Sequence, residues 1–154
     1  MAEEQAPKKN FGIQKLYIKD VSFESPDSPQ VFNFTQWEPK IDLNINNSHK
    51  QIDDNHWEVV LTVTVTAKLN DKTAFLVEVQ QAGIFVMSGF SDDEKGYIVG
   101  SQCMTILFPY ARETISDLTT RGGFPPMILT PVNFEALYQQ HIKKKDGDSE
   151  EVKH

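Results

Sequence analysis

The chain has 154 residues, 39% of them hydrophobic, one cysteine and a formal net charge of −7. That length suits one domain that buries a core without staples, and the apolar share argues against wholesale disorder. Cys103 alone excludes an intrachain disulfide and a thiolate zinc cage.

No run approaches the roughly 20 apolar residues that span a bilayer, so direct membrane insertion is not expected. Met1 to Asn10 lack the apolar stretch of a secretory signal, which makes the cytoplasm the default compartment. Of 22 acidic and 15 basic side chains, residues 1–10 and 143–154 together hold six of each, leaving 16 acidic against nine basic between them. The folded body is therefore acidic. Such a field repels nucleic acid and favours basic partners.

Along the chain, residues 1–10 read as a mobile N-terminal segment, 11–145 as the folded domain and 146–154 as a disordered tail. In the first strand Tyr17, Val21 and Phe23 alternate with Lys19, Asp20, Ser22 and Glu24. Ser25 to Glu38 form a long loop containing Phe32, Phe34 and Trp37, and a loop this aromatic is not expected to be idle. Ile41, Leu43 and Ile45 then alternate with Asp42, Asn44 and Asn46 in a second strand. A third runs from Trp57 to Thr66, and a fourth starts near Thr73 with Phe75, Val77 and Val79 opposite Leu76, Glu78 and Gln80. Period-two alternation means strands covered on one face and wetter on the other. The short links, Asn46 to Asn55 and Asn70 to Lys72, suit antiparallel neighbours.

Helical sequence comes next. Ser91 can cap while Glu94 reaches back, and the pattern continues to about Thr120 with Gly100 and Pro109 as weak points. Gly122 and Gly123 supply a stop, Pro125 and Pro126 keep the connection extended, and Asn133 can cap a second helix. Its apolar side is Phe134, Leu137, Tyr138, His141 and Ile142. Strands first and helices after make an α+β fold: a four-stranded antiparallel, Greek-key-like sheet with two C-terminal helices packed on one face.

From the residues alone, each group has a plain and a functional reading. Asp20, Ser22 and Glu24 share strand parity, as do Leu76 and Glu78, which fits a solvated sheet face or an acidic docking surface. Leu43 and Ile45 fit ordinary core or an apolar channel. Val77, Val79 and Gln81 fit intrachain core or a subunit contact. Cys103 and the histidines, of which His49 and His56 read as turn residues, show no nucleophile–base geometry and no zinc spacing, so neither an enzyme nor a cofactor is expected.

The segments Tyr17-Ile-Lys-Asp-Val-Ser-Phe-Glu24, Val59 to Ala67, Ala74 to Gln81, Leu107-Phe-Pro-Tyr-Ala-Arg-Glu113, Arg121-Gly-Gly-Phe-Pro125 and Pro131 to Leu137 resemble, in this order, those of the bacterial SecB export chaperones. The resemblance spans Phe11 to about Ile142. It implies an ATP-independent holdase for unfolded precursor proteins, assembled as a homotetramer (a dimer of dimers) and delivering its clients to the translocation ATPase SecA. By position it implies that Asp20, Glu24, Leu76 and Glu78 meet SecA and that Leu43, Ile45, Tyr138 and Ile142 line the client surface. Phe32, Phe34 and Trp37 join that surface as loop candidates, and Val77, Val79 and Gln81 bear on tetramer assembly. A chaperone dedicated to one client, such as a toxin–antitoxin pair, is the alternative, and a small cytosolic enzyme a further one.

Overall fold

Alternating β-branched and polar residues build four long strands: β1 (Asn10–Glu24), β2 (Lys40–Gln51), β3 (His56–Leu69) and β4 (Lys72–Ser88). The structure, a computed structural model, describes residues 8–151 and the side-chain surroundings of residues 8–144. Residues 1–7 of the expected mobile segment and 152–154 of the expected tail lie outside the described residues. The strands form one antiparallel sheet in the order β1-β4-β3-β2, so β2 to β4 make a meander and β1 returns beside β4 as in a Greek key. The α+β architecture is the one expected.

Three strand boundaries differ from the alternation. β1 opens at Asn10, inside the segment read as N-terminal to the folded domain, and Lys9 is paired with Glu94 at 2.7 Å. Two irregularities interrupt the pairing of β1 with β4, between Ile13 and Lys15 and between Ile18 and Asp20. The second one reverses parity. Tyr17 lies opposite Ala82 and Asp20 opposite Gln80, which puts Tyr17 on the face of Asp20 and not on that of Val21 and Phe23. β2 continues to Gln51, so most of the expected polar link is strand; His49 belongs to β2 and His56 opens β3. The β3–β4 turn is as short as expected, with Asn70 and Asp71 at φ 54° and 63°, the left-handed pair of a two-residue hairpin.

One face of the sheet carries the core. Val59, Leu61, Val63, Val65 and Ala67 of β3 and Phe75, Val77, Val79, Phe85 and Met87 of β4 have no exposed surface. A long, interrupted helix covers them. Ser91 caps α1 (Asp92–Tyr97) in a complete capping box with Glu94, as the spacing predicts. A π-helical turn at Ile98–Gln102, with Gly100 at its centre, leads into α2 (Cys103–Arg121), whose Leu107, Ala111 and Ile115 are fully buried.

The end of α2 fixes the path to the last helix. Gly122 donates its N–H to the Leu118 carbonyl, and Gly123 takes φ +91°. Ser116 Oγ donates to the Met127 carbonyl at 2.7 Å, and the Met127 N–H donates to Thr119 Oγ1 at 3.0 Å. These bonds pin the Pro-rich connection along α2. Asn133 then caps α3 (Phe134–Glu151), accepting from the Ala136 N–H at 3.0 Å. Because α3 continues to Glu151, residues 146–151 of the expected disordered tail are helical.

Candidate functional site

The sheet register sorts side chains into two faces with different chemistry. On the helix-covered face, odd-numbered residues stand in cross-strand rows: Ile41 with Ala67 and Phe75, Leu43 with Val65 and Val77, Ile45 with Val63 and Val79. The β3 and β4 members are fully buried, but β2 is an edge strand that the helices only partly reach. Ile41 is 37% and Leu43 42% exposed, while Ile45 is half-buried against the core. Burying such aliphatics is worth about 1.5–3 kcal/mol each, so an open row of them is a surface awaiting cover.

Aromatic rings close one end of this row. Phe124, from the connection after α2, lies 5.2 Å from Phe75, 5.3 Å from Trp37 and 5.2 Å from Phe32 between ring centroids. Phe34 packs on Trp37 at 5.1 Å. The long loop is thus drawn onto the sheet by its rings. Phe32 remains 42% exposed at the rim. Gly122 and Gly123 allow this approach: a Cβ would stand 2.4 Å from the Phe23 ring at the first and 3.0 Å from Phe32 at the second.

Tyr138 closes the other end. Its ring meets Tyr97 edge-on at 5.7 Å and sits on Gly100, where a Cβ would come within 2.6 Å of Cδ2. A glycine inside a helix costs stability, and here the π turn and the missing side chain together make the seat. On one side of Tyr138 is a cavity of about 310 Å³ between Ile45, Asn47, Met104, Phe134 and Leu137. On the other, about 380 Å³ lies between Trp57, Lys95, Val99 and Ile142. The expected client residues therefore fall into one line: Phe32, Phe34 and Trp37, then Leu43 and Ile45, then Tyr138 and Ile142. Ile41, Gly100 and Trp57 complete it and were not singled out from the sequence. Ile41 had only its strand parity to recommend it, and Gly100 only its awkward place in a helix.

The opposite face is acidic. Glu24, Leu76, Thr66 and Asp42 form one row, Ser22, Glu78, Thr64 and Asn44 the next, and Asp20, Gln80, Thr62 and Asn46 a third. All four residues expected to act together, Asp20, Glu24, Leu76 and Glu78, share this face. No basic residue occurs in these rows, and none of their carboxylates joins an ion pair among the described residues.

Beyond the third row the pattern changes. Glu58 accepts from Lys19 at 2.7 Å and from the Tyr17 hydroxyl. The Lys19 and Tyr17 hydrogen bonds hold the Glu58 carboxyl below its ordinary 4.5. Burial, followed by the hydrogen bond to Glu58, pushes the Tyr17 phenol up to about 12. A depressed carboxyl stabilises the fold above its unfolded pKa and ceases to do so as the pH falls through its folded value. Glu58→Gln is accordingly expected to cost about 1 kcal/mol at neutral pH, a figure kept small because Lys19 is half in solvent. The gap from the parent should close as the pH is taken below 4.5; urea midpoints across that range measure it.

The remaining expectations concern assembly and chemistry. Val77 and Val79 have no exposed surface and Gln81 is 4% exposed, its amide donating to the Tyr17 carbonyl at 3.2 Å. Of the two readings open for these residues, their side chains occupy the intrachain core and leave no surface for a neighbour. Cys103 is also fully buried, and burial pushes its thiol up to about 12, so it stays protonated at neutral pH. Among the described residues no cluster of metal-ligating side chains forms, and no helix is long and apolar enough to cross a membrane.

The family described as "Preprotein translocase subunit SecB" matches residues 3–145. The chain belongs to the SecB family. Protein-export protein SecB of Methylococcus capsulatus is 55% identical over 141 residues, 92% of this chain and 90% of that protein. That of Nitrosococcus oceani is 52% identical over 153 residues, 98% and 93% of the two. Among solved structures, a Mycobacterium tuberculosis SecB-like chaperone bound to a ChAD peptide from an antitoxin shares the fold, with a TM-score of 0.67 at 18% identity, over 79% of this chain and 90% of that one. This SecB-family chain thus carries its apolar row and its acidic rows on opposite faces of one sheet.

Proposed function

We propose that this SecB-family chain is an ATP-independent holdase that lays unfolded precursor proteins along the inner side of β2. In this reading it works in the cytoplasm, keeps its clients export-competent, and passes them to the SecA ATPase across the acidic rows. The observation that carries it is the open aliphatic row Ile41, Leu43 and Ile45 running between the Trp37–Phe124 rings and Tyr138. An unfolded chain offers apolar side chains without fixed sequence, and a long apolar trough with aromatic ends accepts them without demanding one. The acidic rows, with Leu76 among them, suit a basic partner bearing an apolar contact: charge speeds encounter and apolar area prolongs it.

Assembly belongs to the same proposal. A homotetramer, built as a dimer of dimers, would link several weak troughs on one long client and gain avidity. Val77, Val79 and Gln81 would then affect assembly from within, by setting the pose of β1 and α2 rather than by touching a neighbour.

The test is a refolding assay on an export precursor diluted from denaturant. A stoichiometric amount of the chain should slow refolding with no nucleotide present, and SecA should relieve the delay. Replacing both Tyr138 and Ile142 with Ser should weaken capture about tenfold, the worth of the apolar area removed. Unchanged capture by that variant would remove the α3 end from the trough. Absence of any delay with the parent chain would remove the function.

A further inference from the structure

Among the described residues, the indole N–H of Trp57 is the one buried side-chain polar atom without a hydrogen-bond partner. Folded proteins seldom leave such a donor idle, because burial strips it of water without giving it an acceptor. Trp57 stands near the start of β3, opposite Gln51 and Phe85, on the helix-covered face. It forms part of the wall of the cavity of about 380 Å³ beside Tyr138 and Ile142. Lys95 Nζ lies 5.6 Å above its ring, and the His49 ring is 6.2 Å away.

We propose that Trp57 is a main-chain receptor at the α1 end of the trough: when a client enters, the indole N–H donates to a peptide carbonyl oxygen. This rests on the reading of that trough as the client site and says what it recognises there besides apolar side chains. An indole N–H can only donate, so its partner must be an acceptor. Lys95 and Asp92 both border the cavity, so their charges offset one another and favour a neutral acceptor over a carboxylate. A chaperone for chains of any sequence meets one neutral acceptor at every residue, the main-chain carbonyl. The N–H has no exposed surface in the free chain, so a covering side chain must swing aside. Lys95 is long, unbranched and in no ion pair among the described residues, which fits it for that movement. The donor idle in the free protein is then satisfied only in the complex.

Trp57→Phe separates this from packing, since it removes the N–H and keeps an aromatic ring. With a fluorescein-labelled, uncharged peptide of alternating Leu and Ser as probe, affinity should fall about fivefold, the worth of one hydrogen bond. The thermal midpoint of the free variant should hold or rise. Equal affinity in parent and variant overturns the proposal, as does a loss of affinity matched by a loss of stability. An independent readout uses the parent chain labelled with ¹⁵N. The Trp57 indole proton, told apart from Trp37 by the free spectrum of Trp37→Phe, should move downfield on saturation with the peptide, and a stationary signal overturns the proposal. Failure of the parent to bind the peptide at all fells the trough reading itself, and the proposal with it. That outcome is distinct from a parent that binds and a variant that binds equally well.

Discussion

Phe124→Ala is expected to destabilise the chain by about 3–4 kcal/mol, measured by urea unfolding. The ring is 4% exposed and lies between Phe75 below, Trp37 and Phe32 beside it and Phe23 at 6.5 Å. Its removal leaves a void that the neighbouring rings cannot fill without breaking their own contacts. The backbone gives little, because Ser116 and Thr119 pin the connection at Met127 and Gly122 already abuts Phe23. Phe32→Ala, at the exposed rim, should cost less than about 1 kcal/mol. A comparable cost for both would mean that the rings act as loose cover and not as a keyed cluster. On the proposed function Phe124→Ala should also weaken capture of precursors, since it undermines the aromatic end of the trough.

On the proposed function, reversing Asp20 and Glu78 to Lys should lower affinity for SecA about tenfold while client capture stays within about twofold. The two carboxylates stand on neighbouring strands, in adjacent rows that contain no base, so both substitutions act on the same patch of field. They point away from the core, and the fold should not suffer. The loss should shrink as salt is raised, because exposed charges are screened over about 8 Å at physiological ionic strength. Binding measured at low and high salt checks both points. An equal loss of SecA and client binding, with folding intact, would contradict the division of labour between the two faces.

Strand parity carried most of what could be read from the residues. It paired Asp20 with Glu24, Leu76 with Glu78 and Leu43 with Ile45, each pair on one face of its own strand, and the register then joins the first two pairs on one side of the sheet and sets the third on the other. It misled at Tyr17, where an irregularity between Ile18 and Asp20 exchanges faces without any glycine to announce it. Capping chemistry was equally legible: the side chains of Ser91, Glu94 and Asn133 begin helices, and Gly122 ends one through its backbone. The depth of a strand within the sheet was not. Val77 and Val79 read alike as core or interface until the neighbours β1 and β3, and α2 above them, were in place. Trp57 and Gly100 acquire meaning only through residues far along the chain, Lys95 and Tyr138, so no local pattern could single them out.

A two-residue period makes β2 and β4 intolerant of changes in length in a way that substitutions do not reveal. Deleting or inserting a single residue inside either strand would turn its carboxylates toward the helices and its aliphatics toward water over the remainder of the strand. Variation in this protein should therefore gather in side-chain identity and in the hairpin tips, while the spacing between Leu76 and Gln80, and between Ile41 and Ile45, admits no frame change.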